Sequence, residues 1–458
     1  MTQTHAPSSR AVLGVVAGVL SVGLVATLTI AGCTGDADAP PTPPEAEGQA
    51  DKAKGPAAPA PAGPPAPVQD KIEGPQAPAI LLSQAWFYKD ANGKQKPGPA
   101  RLQIWRQGAA GWSALRLEDG DSNVFHKAIP TPDGGLLTIG AEKALLKKWT
   151  LKDGVWGAEQ LWGKPEGWGG QFNRLRDLEI GDVDADGKDE LVMATHDGGV
   201  IVVYNPGEGG APAEVLELDA KADTFVHEIE IGDMDGDGKK EFFATPSDRN
   251  KANASQAGEI VMYTFADGKY TRSVLDGGPH THAKEVLAAD LDRDGKSEVF
   301  GVLEAEIDAQ KQIVKPVEIR RYIKKADGSG FDHQTVATIQ DRQTRFLVHG
   351  DFDGDGFDEL IAASFKTGLF FIDGKSDGKG GFTWEAPVNI DAISSGFEHA
   401  AFPADLDGDG KVELYVAADD QRELKRYDFN AETRTFTKQK LGALDAGTLT
   451  WNISAMKL

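Results

Sequence analysis

At 458 residues, the chain is long enough for one large β domain or several average ones, and its 40% hydrophobic content is ordinary for a globular core. A formal net charge of −23 argues against nucleic acid or an anionic membrane surface as the main partner, since phosphate binding needs a basic field. Either the acid solubilises the surface, or bound cations neutralise much of it.

Residues 1–33 read as a targeting segment. Arg10 ends a weakly basic start, and Ala11 to Ile30 is an almost unbroken apolar run, long enough that an uncleaved membrane anchor is the alternative. The run closes in Ile30-Ala31-Gly32-Cys33, and Cys33 is the single cysteine of the protein. This ending resembles the lipobox of bacterial lipoproteins, which implies acylation of Cys33 and a lipid-anchored protein of the cell envelope, on the periplasmic side of the outer membrane or at the cell surface. With Cys33 used, no disulfide is available to the folded part, so core size or metal must stabilise it. Residues 34–78, rich in Pro and Ala, read as a disordered linker that cannot bury apolar area.

Internal repeats decide the fold of residues 79–458. One acidic loop recurs with Asp at positions 1, 3 and 5, Gly at 6 and Glu at 9. The sets are Asp182, Asp184, Asp186 and Glu190; Asp233, Asp235, Asp237 and Glu241; Asp290, Asp292, Asp294 and Glu298; Asp351, Asp353, Asp355 and Glu359; and Asp405, Asp407, Asp409 and Glu413. Calcium takes six to eight oxygens at roughly 2.3–2.6 Å, and alternate side chains of a tight loop converge on such an ion. The carbonyls of Lys188, Lys239, Lys296, Phe357 and Lys411 at position 7 are further candidate ligands. An EF-hand would need a bidentate Glu at position 12, where this chain has Met193, Ala244, Gly301, Ala362 and Val416. A short apolar run suited to a buried strand follows each loop instead. Five divalent ions would bring the net charge to about −13.

A second repeat is a strand ending in an aromatic, then a turn, then another strand. It occurs at Leu102–Trp105, Leu145–Trp149, Val200–Tyr204, Glu259–Tyr263, Glu318–Tyr322, Leu369–Ile372 (ending in Ile372) and Glu423–Tyr427. This predicts an all-β, seven-bladed propeller with each calcium loop between a blade's first two strands. The first unit lacks an opening strand, and Thr448–Met456 is left over at the end. The C-terminal strand is therefore expected to close the ring. The second unit carries Pro130 to Gly135 in place of the loop and should bind no metal there. The pattern resembles the FG-GAP/VCBS repeat proteins, best known from integrin α-subunit heads, over about residues 79–458. The resemblance implies a seven-bladed calcium propeller, not integrin function.

Six residues before each loop stands a basic side chain, Arg176, His227, Lys284, Arg345 or His399, with His126 at the matching place in the second unit. At the mouth of the central channel these would favour a carboxylate-bearing ligand. Alternatively, Asp177, Glu228 and Glu285 pair with them structurally. The expectation is a monomeric binding module for an unidentified protein or anionic glycan, with no nucleic acid. Two rivals stand beside it. One is a lyase on acidic polysaccharide, because similar propellers occur in rhamnogalacturonan lyases; His126, His227 or His399 would be its base, and Trp105, Trp112, Trp149, Trp156, Trp162 or Trp168 would stack sugars. The other is a scaffold of an envelope complex.

Overall fold

The computed structural model describes residues 64–165, 174–196, 198–206, 212–217, 225–248 and 255–458. The apolar run, Cys33, the linker up to residue 63, and Trp168 lie outside these. Among the described residues no helix is long and apolar enough to cross a membrane.

Seven antiparallel sheets form the seven blades, six of four strands and the first with a short fifth strand, Gln95–Pro97, added to its four. The second to seventh blades run outward in chain order from innermost strands Phe125–Pro130, Leu175–Gly181, Phe225–Gly232, Ala283–Ala289, Thr344–Gly350 and His399–Ala404. In the first blade the innermost strand is Thr448–Lys457, which pairs antiparallel with Pro78–Lys89. Ala77 and Leu458 extend this pairing by exchanging both backbone hydrogen bonds, at 2.6 and 3.0 Å. The ring is thus closed by the C-terminal strand, as expected. All seven of the repeat segments, six of them ending in an aromatic, fall on third strands.

The core is divided among the seams between blades. Each seam holds its own cluster, such as Leu81, Leu102, Phe125, Leu136 and Trp149 between the first two blades, and Phe300, Ile319, Leu347 and Leu360 between the fifth and sixth. Third-strand tyrosines also latch outward across the seam. The hydroxyls of Tyr322 and Tyr427 donate to Asp276 and Asp391 on the preceding blade's fourth strand, at 3.0 and 2.7 Å. Trp105 instead lies against Gly442, where a Cβ would come within 2.2 Å of its ring.

The linker expected over residues 34–78 ends earlier than its composition suggests. Val68 and Glu118 exchange backbone and side-chain hydrogen bonds, the Asp70 amide donates to Arg116 O, and Ile72 is buried in the first seam. Arg106 ties the stretch down by donating to the carbonyls of Glu73, Pro75 and Leu458. A few apolar residues and a free fourth-strand edge are enough to bind a Pro-rich segment that cannot fold alone.

Candidate metal loops and channel mouth

Each acidic loop joins a blade's first strand to its second, and its Glu is the first residue of that second strand. This placement explains the burial of all five, Glu190, Glu241, Glu298, Glu359 and Glu413, while the aspartates are partly or fully exposed. One glutamate oxygen accepts from the amide of position 2, at 3.1 Å for Val183 to Glu190 and 2.9 Å for Phe352 to Glu359. The position-1 Asp accepts from the Gly amide at position 6, as in Gly187 to Asp182 at 3.0 Å, and the position-5 Asp accepts from the amide of position 7. Gly187 and its equivalents sit at φ of 85 to 94°, which a residue with a Cβ resists. Position 4 is left-handed as well. Glycine serves there in three loops, but Ala185 and Arg293 adopt φ 60°.

Carboxylate oxygens of Asp351, Asp353, Asp355 and Glu359 converge within 4.8 Å of one another, and so do those of Asp405, Asp407, Asp409 and Glu413. In the other three loops, three carboxylates converge: Asp182, Asp184 and Glu190; Asp233, Asp235 and Asp237; Asp290, Asp292 and Asp294. Asp186 stands aside, paired with Lys188 at 3.0 Å. Among the described residues no other group of acids, histidines or cysteines converges in this way.

The donor set fits a hard divalent cation. Glu190 Oε1, Glu359 Oε1, Asp292 Oδ1 and Asp351 Oδ1 are buried with no hydrogen-bond partner, a costly arrangement unless a cation meets them. Burial and the neighbouring aspartates push Glu190, Glu241 and Glu298 up to about 7 and Glu359 to about 8. The loops also link blades, because the next blade reaches the position-3 Asp. Lys324 meets Asp235 at 3.0 Å, Arg434 meets Asp353 at 3.2 Å, and the Ser376 hydroxyl donates to Asp292.

On the opposite face, a cavity of about 20 Å³, room for a water, opens at the channel mouth. All seven blades line it, through His126, Arg176, Asp177, Glu228, Lys284, Glu285, Arg345, Phe346, Glu398, Trp451 and Asn452. Four of the six basic residues picked from the sequence are therefore brought together: His126, Arg176, Lys284 and Arg345. His227 and His399 are not among them. His227 is fully buried near Ser247 Oγ at 3.2 Å, and His399 lies between Ser394 Oγ and Ser364 O at 2.7 and 3.0 Å, with burial depressing it to about 4.

The inner strands explain this division. Their pairing register slips at His126, Arg176, Lys284 and Arg345, and each sits in a β-bulge that re-aims its side chain. The fourth blade skips both His227 and Glu228, and Glu228 is the one lining the cavity. His399 lies in regular pairing.

Structural pairing accounts for much of the charge, though not through the pairs expected: Asp177 and Glu285 find partners other than the six basic residues. Arg345 bonds Glu398 at 2.6 Å, Lys127 bonds Asp177 at 2.9 Å and also meets Glu179, and Glu285 accepts from the Leu347 amide. Arg176 differs. It stacks over Trp451, 4.8 Å from the ring centroid, and its buried Nε has no hydrogen-bond partner. Burial and acidic neighbours hold Glu228 well above the usual carboxylate range and Glu285 at about 8. Trp105, Trp149, Trp156 and Trp162 are buried in the seams, and Trp112 packs at one.

This fold and these loops define a seven-bladed β-propeller with acidic turns suited to metal. The chain carries FG-GAP-like repeats, matched over residues 182–244 and 351–455. No curated protein matches it. Similar solved structures include an Agrocybe aegerita lectin that recognises non-reducing terminal N-acetylglucosamine (14% identity, 83% of this chain and 95% of that one, TM-score 0.53). Others are a candidate 6-phosphogluconolactonase from Bacteroides uniformis (13%, 83% and 99%, 0.52) and a protein from Lactobacillus plantarum (12%, 83% and 99%, 0.52). At such identities the likeness is one of fold.

Proposed function

We propose that the protein is a calcium-loaded binding module, held outside the cytoplasmic membrane by a lipid on Cys33, whose channel-mouth face takes a carboxylate-bearing ligand. Calcium is the cation whose chemistry suits five all-oxygen loops of this spacing, one ion per loop. The loops and the mouth lie on opposite faces, so the metal stabilises the ring and leaves the mouth to the ligand.

The observation that carries the ligand reading is Arg176, stacked on Trp451 with an unanswered buried donor, in a cavity built from every blade. Burial and acidic neighbours favour the protonated forms of Glu285, held at about 8, and of Glu228, also raised, which leaves the cations of the mouth less opposed. The cavity admits little beyond one carboxylate, so the body of the ligand would lie across the face. The lyase reading is weakened, because His227 and His399 are fully buried and His126 Nδ1 is engaged by the Leu175 carbonyl.

Binding to an array of uronate-bearing glycans and acidic peptides, read for wild type and Arg176→Ala, tests this. The variant should lose at least about tenfold in affinity for whatever anionic ligand wild type retains. Equal binding by the variant would remove the mouth from consideration. Appearance of unsaturated uronate product would revive the enzyme.

A further inference from the structure

The five acidic loops share their ligand pattern but not their surroundings. Two residues beyond each loop Glu, the second strand pairs with a third-strand residue of the same blade. In the third, fourth and sixth blades that residue is apolar: Val203, Met262 and Phe371, all buried. In the fifth and seventh blades it is arginine, Arg321 and Arg426.

Both guanidinium groups are fixed. Arg321, with 8% of its side chain exposed, lies 3.4 Å from Glu298 Oε1, donates twice to Gly380 O at 3.1 Å, and stacks 4.0 Å from the Phe382 ring centroid. Arg426 meets Asp407 at 2.7 Å and Glu413 at 3.3 Å, and its Nε donates to Asp428 at 2.6 Å. Other cations near the loops, Lys188, Arg293, Lys324 and Arg434, are more than half exposed, so water and salt screen them and they can swing away. Arg321 is buried, and Arg426, 18% exposed, is held by three carboxylates, so neither can swing away, and each already answers an oxygen that an incoming ion would need.

We propose that the loops form two classes: tight sites in the third, fourth and sixth blades, and weak sites in the fifth and seventh, where Arg321 and Arg426 act as built-in countercharges. The proposal rests on the calcium reading above. A fixed positive charge beside four carboxylates repels a divalent ion at short range in a poorly screened place, enough for a gap of roughly tenfold or more. The fifth and seventh blades would then stay neutralised as calcium falls, and the other three would empty last but suffer most when they do.

Calcium titrated calorimetrically into chelator-stripped protein should show three tight sites and two at least about tenfold weaker. The double variant Arg321→Met/Arg426→Met should move the weak phase into the tight one. If that variant does not fold, single changes in wild type assign the phases: Glu298→Gln and Glu413→Gln should each remove a weak site, and Glu190→Gln a tight one. Five equivalent sites in wild type, a weak phase persisting in the folded double variant, or Glu413→Gln removing a tight site would overturn the proposal. Absence of any calcium uptake would instead bring down the metal reading itself.

Discussion

The buried glutamate that opens each second strand is the residue on which the loops turn. Glu359 sits at a strand start with one oxygen satisfied by a backbone amide and the other by nothing in the protein. Such a group is a liability without a cation and an anchor with one. Glu359→Gln should therefore lower the melting temperature in millimolar calcium, yet leave it equal or higher in chelator; differential scanning fluorimetry in both buffers reads this. A drop in both would make Glu359 a packing residue only. The Gly442 position is decided by the Trp105 ring, so Gly442→Ala should cost about 1–3 kcal/mol in chemical denaturation. At this scale the sequence was informative about the ligands, because their spacing repeats, but silent about Ala185 and Arg293. Nothing in their identity marks them as left-handed, and only the comparison with Gly236, Gly354 and Gly408 at position 4 would have raised it.

Among the elements, the loops give the protein a pH dependence whose sign reverses with metal. In the metal-free protein Glu190, Glu241, Glu298 and Glu359 titrate near 7 to 8, above the ordinary glutamate value. A raised carboxyl binds its proton more tightly in the folded state, so stability falls as pH rises from about 4.5 through 8. Stripped protein should melt higher at pH 5.5 than at pH 8, whereas calcium-loaded protein should not, since protons and calcium compete for the same oxygens. Below pH 4.5 both forms should weaken, as Glu304 and Glu318, held near 2 mainly by the cations around them against the opposing effect of burial, take up protons. The inner strands show why the channel was only partly legible. A basic residue six positions before each loop could be read off, but a bulge at that point breaks the two-residue alternation by which a side chain's direction is inferred. Hence Arg176, Lys284 and Arg345 reach the mouth, and His399, in an unbroken ladder, does not.

For the whole molecule, blade count and closure were legible, since each follows from repeats and from a strand left unmatched at either end. The packing of residues 67–73 on the first blade was not, because composition reports what a segment can do alone and not which free edge awaits it. Seams carry the core, and several loops touch the next blade, so chelation should loosen the ring as a unit and lower its melting temperature by roughly 10 °C or more. Unchanged melting after thorough chelation would mean that the loops are ordinary turns. Removing the last ten residues should leave Pro78–Lys89 unpaired on its channel side and yield aggregated protein; a soluble product with an intact melt would contradict the clasp.

That clasp also sets a timetable. Leu82 meets Ile453, so the first blade waits for everything between them to be made before it can finish. At ribosomal speeds this is a delay on the order of tens of seconds. Until Thr448–Lys457 emerges the nascent protein is an open arc with Pro78–Lys89 as a raw edge, and only that late pairing makes it a ring.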